Sequence, residues 1–175
     1  MIRHATMQDR TRFLQLWGAH ILEQEKDGSK LLATTANLYK FLDYFESYIQ
    51  GSLFGIVSIA EVDGEPVGVC MAGEFAQEDT WDTTLGKLAN LWGVYVEPEH
   101  RGKGLGVKLF ATVLERGREL GFDAVETYVR VDNEHGQRVA KAFGTKVYIQ
   151  QHIAPLYGNE IMSNDLATDA LSREG

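Results

Sequence analysis

The chain has 175 residues, 44% of them hydrophobic, and a formal charge of -8. That size and apolar share suit one domain with a single well-filled core. The acidic balance argues against nucleic acid, whose binding depends on basic patches meeting phosphates, and is compatible with a cationic substrate.

Cys70 is the only cysteine, which excludes an internal disulfide and fits a reducing cytoplasm. The start, Met1-Ile2-Arg3-His4-Ala5, is too polar for a signal peptide, and no apolar run is long enough to cross a bilayer. A cytoplasmic location without a membrane partner is expected. Histidines 4, 20, 100, 135 and 152 are scattered without helical pairing or cysteine neighbours, so no metal site is expected.

Residues 2–5 make a short first strand. Thr6 then caps a helix over 7–25, with Asp9 reaching back. Its apolar stripe runs Phe13, Leu16, Trp17, His20 and Ile21. His20 on that stripe reads as a packed, hydrogen-bonded histidine. After a loop at 26–30, Leu38, Phe41, Leu42, Phe45, Tyr48 and Ile49 mark a second helix over 36–50, stopped by Gly51. Residues 54–62 and 67–75 are strand-like, and Asp63-Gly64 between them favours a tight antiparallel hairpin. Cys70 lies mid-strand with no basic partner in view and reads as core.

Residues 76–86 form a polar, acidic loop whose Trp81 is either a plug on the core or a substrate contact. A strand over 87–96 leads into a glycine-rich turn and a helix over 103–120, ended by Gly121. Gly117 on its inner face would let helix and sheet approach closely. A strand at 123–131 follows, parallel to 87–96 because a helix joins them. A short helix over 133–143 and a last strand over 145–153 complete the domain. The polar tail, 158–175, is either a loose segment or a short helix capped by Asn164.

The chemistry concentrates in Val94-Tyr95-Val96-Glu97-Pro98-Glu99-His100-Arg101-Gly102-Lys103-Gly104-Leu105-Gly106. A helix start presents backbone N–H groups without internal partners and a partial positive charge, which together attract anions. Glycines at 102, 104 and 106 remove side chains that would keep a phosphate from those amides, and Arg101 and Lys103 add charge. A Walker A loop is excluded, since no Gly-Lys pair precedes Ser or Thr. The dinucleotide fingerprint also fails, with Val107 in place of its third glycine.

The pattern that fits is [RQ]-x-x-G-x-[GA], filled by Arg101, Gly104 and Gly106 and preceded by V-x-P at 96–98. This resembles the pyrophosphate loop of the GNAT superfamily of acyl-CoA-dependent N-acetyltransferases. The order β-α-α-β-β-β-α-β-α-β over roughly 2–154 is similar to that family's succession. The resemblance implies a single α/β (α+β) domain over 1–157. Its mixed, mostly antiparallel sheet would carry helices on both faces and one splayed parallel strand pair.

It further implies acetyl-CoA as acyl donor. The pantetheine arm would pair with Val94, Tyr95 and Val96, and the diphosphate would sit on the amides of Arg101, Gly102, Lys103, Gly104, Leu105, Gly106 and Val107. Asn133 would contact the CoA arm, or cap its helix, and both can hold together. The second helix and the loop before it border the acceptor site in this family, making Tyr39 and Tyr44 candidates there, with Trp81 of the 76–86 loop and Trp92 of the strand at 87–96 as further candidates. The acceptor would be a small amine or a peptide amino terminus. A homodimer is a common family arrangement.

Two departures affect the mechanism. Where many members carry a tyrosine that protonates the leaving thiolate, this chain has Ala140. Where some carry a glutamate base before G-x-Y-V, it has Trp92. The segment from Asn133 looks more like the form found in ribosomal-protein-type N-terminal acetyltransferases, with Gly136 for serine. Substitute acids or bases are Glu74, Glu97, Tyr128 and Tyr148, none singled out. Deprotonating a lysine-like amine at pH 7 costs roughly 4.6 kcal/mol, an α-amine only about 1.4 kcal/mol. A site without a strong base therefore suits α-amines or other weakly basic amines. The rival function is a catalytically silent acyl-CoA-binding sensor or interaction module.

Overall fold

The computed structural model describes residues 1–26, 33–74 and 86–146. Strand β1 (Ile2–His4) is followed by a 3-10 turn, Met7–Asp9, and helix α1 (Arg10–Lys26). Thr6 and Asp9 close the start of this segment as a capping box, as expected. The Thr6 N–H donates to Asp9 Oδ2 at 2.8 Å, and the Thr6 hydroxyl donates to the same oxygen at 3.1 Å. Arg3 grips both oxygens of the buried Asp9, at 2.8 and 2.7 Å, and also donates to Glu61 at 2.7 Å. The Arg3 guanidinium thereby holds the Asp9 carboxyl below the usual carboxylate range.

Helix α2 (Thr35–Gln50) starts where the Thr34 hydroxyl accepts the Asn37 N–H, and ends at Gly51 in the left-handed region. Strands β2 (Gly55–Val62) and β3 (Glu65–Gly73) form the expected hairpin, with positive φ at Asp63 and Gly64. Then come β4 (Leu88–Val96), α3 (Leu105–Glu119), β5 (Ala124–Thr127) and α4 (Glu134–Ala142).

The sheet order is β1-β2-β3-β4-β5, antiparallel throughout except for the parallel pair β4–β5. Helices α1 and α2 cover one face over Phe13, Trp17, Phe45, Tyr48, Ile59 and Met71. Helix α3 covers the other over Ile56, Cys70, Leu91, Leu109, Phe110 and Val113. Each large apolar side chain removed from water contributes on the order of 2–3 kcal/mol. Cys70 is fully buried, and burial pushes its thiol pKa up, as a core role requires.

Two sequence expectations change. The fifth strand is half its expected length: Tyr128 and Val131 are 82% and 87% exposed, because pairing with β4 ends at Leu91–Thr127. A Cβ at Gly117 would lie 3.9 Å from Val125 Cγ2, an ordinary contact, so that approach does not demand glycine. Residues 145–146 lie beyond α4 with no regular structure, and the remainder of the expected last strand and the whole tail fall outside the described residues. No helix of the described residues is long and apolar enough to cross a membrane.

Candidate active site

Strand β4 organises the site through one irregularity. Met71 pairs with Gly93 and Ala72 with Leu91, leaving Trp92 as an extra residue in β4. Such a bulge bends a strand and re-aims its side chains. The parallel ladder to β5 reaches Leu91 and stops, so bulge and divergence coincide. Beyond it, Val94, Tyr95 and Val96 pair with Cys70, Val69 and Gly68 of β3. Their opposite edge has no strand partner among the described residues.

Past Val96 the chain makes a 3-10 turn, Pro98–His100, and enters the glycine loop. Gly102 and Gly104 take φ values of 77° and 75°, a region that side chains with a Cβ disfavour, and Gly104 caps α3. Among the described residues, no atom beyond the adjoining ones lies within 4 Å of where a Cβ would stand on either, so that side of the loop is open. The first intrahelical bond of α3 runs from the Lys108 N–H to the Gly104 oxygen at 3.1 Å. The amides of Leu105, Gly106 and Val107 precede it and have no partner within the helix. Leu105 buries its side chain and offers the site only its backbone, whereas Lys103, Val107 and Lys108 are exposed. Lys108 is a further cation at this helix start, one that the loop pattern does not include.

Arg101 behaves differently from the expected phosphate-facing cation. Its Nε donates to the Val96 oxygen at 2.8 Å, and its guanidinium reaches Glu23 of α1 at 2.5 Å while lying over the Tyr95 ring. It ties the loop to α1.

On the opposite face of β4, Trp92 packs against α2. Its ring centroid is 5.9 Å from Phe41 and 5.2 Å from Tyr44. Its Nε1–H donates to the Tyr48 hydroxyl at 3.2 Å, and that hydroxyl donates to the Glu74 carbonyl at 2.6 Å. The Tyr48 ring lies on Gly55 and Gly73, cross-strand partners where any Cβ would collide with it. Burial pushes the Tyr48 pKa up and keeps its proton in place. Tyr44 and Trp92 are thus brought together. Tyr39 is not: 55% exposed, it points away from the stripe that carries Phe41, Phe45 and Tyr48.

The remaining candidates are occupied or distant. Glu74 pairs with Lys87 at 3.1 Å and accepts the Phe54 N–H, and Glu97 pairs with Arg12 at 2.8 Å. Asn133 caps α4, its side chain accepting the Gly136 N–H at 2.8 Å. A Cβ on Gly136 would stand 2.9 Å from Val129 Cγ1, which accounts for glycine there. Ala140 is buried and small where the tyrosine would be. Tyr148 and Trp81 lie outside the described residues. Glu97, Glu99 and His100 bring ligand-type atoms within 4.8 Å of one another, a grouping the sequence reading missed, but Glu97 is already paired with Arg12.

His20 lies beside Gly93, where its ring fills the space a side chain would need. An added Cβ would meet Cδ2 at 3.1 Å and Cε1 at 3.3 Å, and Nε2 nearer still. Trp17 and Tyr95 flank the ring at 5.2 and 5.9 Å. It is packed as expected. The expected hydrogen bond is not found among the described residues.

The family model for the acetyltransferase (GNAT) family matches residues 20–145, more than half of the chain. A thialysine N-epsilon-acetyltransferase from Bos taurus is 30% identical over 91 residues, 52% of this chain and 54% of its own. An L-2,4-diaminobutyric acid acetyltransferase from Nocardia farcinica is 29% identical over 119 residues, 68% and 58% of the two chains. The chain thus spans about half the length of the curated relatives it matches. A putative acetyltransferase from Salmonella typhimurium, solved with acetyl-CoA, has a TM-score of 0.70 at 22% identity, with 86% of this chain and 81% of that one covered. A ribosomal-protein-alanine N-acetyltransferase from Brucella melitensis has a TM-score of 0.65 at 23% identity, covering 82% and 83%. At these identities the structural likeness is one of fold. The family match supplies the rest, and the chain belongs to the GNAT acetyltransferase family.

Proposed function

We propose that this protein moves an acetyl or other short acyl group from acyl-CoA to a primary amine by direct attack in a ternary complex. The observation that carries the reading is the coincidence of three features along one strand. Pairing with β5 ends at Leu91, Trp92 bulges, and the strand runs on into an open glycine loop at the start of α3. The diphosphate would rest on the amides of 102–107, with Lys103 and Lys108 supplying charge and Arg101 holding the loop against α1. The pantetheine arm would use the edge of β4 at Val94, Tyr95 and Val96. A backbone N–H there, aimed at the thioester oxygen, stabilises charge as the amine attacks. Asn133 would meet the same arm from the start of α4.

The acceptor would enter from the α1–α2 side, against Phe41, Tyr44 and Trp92. A wall of this kind favours a cationic or apolar body next to the reacting nitrogen. The names of the relatives, which concern thialysine and 2,4-diaminobutyric acid, support a small amine as acceptor. Free thiol release should be measured with acetyl-CoA against a panel of small amines and amino-terminal peptides. Turnover on one class supports acyl transfer. Tight acetyl-CoA binding without turnover on any acceptor would favour a silent binding module.

A further inference from the structure

We propose that His20 accepts the proton of the attacking amine. The inference rests on the acyl-transfer reading and deepens it by giving one step to one side chain. The placement is the first argument. Gly93 is the first residue after the bulge, on the face of β4 turned to α1 and α2, at the point where β4 has left β5. The His20 ring occupies the side-chain space of that residue, and only glycine permits it. The ring therefore borders the opening where backbone groups would meet the thioester.

The second argument is what surrounds the imidazole. Trp17 and Tyr95 fix the plane of the ring, and neither makes a hydrogen bond to it. The charged and titratable groups facing it are Glu23 from its own helix, Arg101 from the loop and Tyr95 from β4. Burial lowers its pKa to about 4, Glu23 opposing and Arg101 reinforcing the shift, so the ring is neutral at pH 7 with an available lone pair. The third argument is elimination among the described residues. Glu74 and Glu97 are bound to Lys87 and Arg12, Tyr48 gives its proton to a carbonyl, and Tyr128 stands exposed past the end of β5.

So weak a base does not strip a free ammonium ion, so the amine arrives neutral. Its nitrogen lone pair attacks the thioester carbon, the C–N bond forms, and the carbonyl electrons move to oxygen. The nitrogen is now cationic and far more acidic than the starting ammonium, and its proton passes to His20 Nε2. The carbonyl re-forms, the C–S bond breaks with its electrons on sulfur, and the imidazolium returns the proton to the thiolate. The products are the amide, CoA thiol and neutral His20. This division of labour agrees with an acceptor of low basicity.

The test compares wild type with His20→Gln and His20→Ala, by steady-state kinetics and by calorimetric titration with acetyl-CoA. Loss of the proton acceptor should lower kcat about 100-fold. The Kd for acetyl-CoA should stay within about twofold. Added imidazole should restore at least tenfold of the lost rate to His20→Ala and none to His20→Gln, whose side chain still fills the space. Packing alone would not respond to imidazole. An active wild type with variants of equal kcat, or with losses that imidazole does not relieve, overturns the role of His20 and leaves acyl transfer standing. A wild type that binds acetyl-CoA but releases thiol with no amine overturns acyl transfer, and the role of His20 with it.

Discussion

The two faces of the sheet are built from different materials. Under α3 the core is mostly aliphatic: Ile56, Val67, Leu91, Leu109 and Val113, with Phe110 its one buried aromatic ring among the described residues. Under α1 and α2 it is aromatic, from Phe13 and Trp17 through Phe45 and Tyr48 to Tyr95, with Phe41, Tyr44 and Trp92 at its margin. The proposed donor and acceptor sites lie at the margins of these two faces. A diphosphate is met by main-chain amides, which need only a fixed helix start and the absence of side chains, so the core beneath can be plain. An amine must be selected by shape and polarity, which only side chains supply. Aromatic residues with polar tips provide both in a rigid frame.

The largest expected effect tests the backbone half. Gly104→Val should weaken acetyl-CoA binding by at least 100-fold in calorimetry. A branched side chain would project into the open side of the loop, and φ of 75° strains it as well. That strain adds a stability cost of about 1–2 kcal/mol, read from urea denaturation. The sequence alone would predict little loss of fold, because it does not reveal the left-handed backbone. Unchanged affinity would remove the loop from the account.

Next, Trp92→Ala tests the side-chain half. It removes the ring shared by Phe41 and Tyr44 and the N–H donated to Tyr48. The acceptor KM should rise about tenfold, the Kd for acetyl-CoA should hold, and stability should fall by about 2–3 kcal/mol. An acetyl-CoA affinity that falls with the acceptor's would show that the two margins are not separate.

A smaller effect is expected where the halves are tied. Arg101→Ala and Glu23→Gln should each weaken acetyl-CoA binding threefold to fivefold, and the double variant no further. Both partners are substantially exposed, and such pairs contribute about 1 kcal/mol or less. Additive losses in the double-mutant cycle would contradict the tie.

The smallest effect is in acid. The folded-state pKa of His20 lies below its unfolded value near 6.5, so the unfolded chain takes up the proton first. Its contribution to stability is therefore complete above about pH 6.5 and declines as pH falls toward 4. Asp9, also depressed, stabilises above the ordinary carboxylate range and loses that contribution as pH falls through its folded value. Urea midpoints between pH 7 and 4 should fall less steeply for His20→Gln than for wild type. Parallel curves would mean that the imidazole is solvated.

The same contrast explains what could be read in advance. The donor loop is contiguous, and its glycines and helix start follow from spacing alone, so its placement on the chain was legible. The acceptor wall draws on α2 and β4, and His20 comes from α1. A bulge such as that at Trp92 leaves no mark in composition. Arg101 read as a phosphate ligand because its loop suggests one, while its partner Glu23 lies 78 positions away. Tyr39 is a candidate only because the resemblance puts its helix at the acceptor site, whereas helical phase turns it to the exposed side. Strand 123–131 was overdrawn because its Val, Thr and Tyr suit a strand whether or not a neighbour continues beside them.

The most direct test of the central claim is an amide NMR titration of the labelled protein with acetyl-CoA. The account predicts the largest shifts at Gly102 to Val107, with a second group at Gly93 to Val96 and little change across β1 and β2. Saturable shifts centred elsewhere, or none at millimolar ligand, would contradict it.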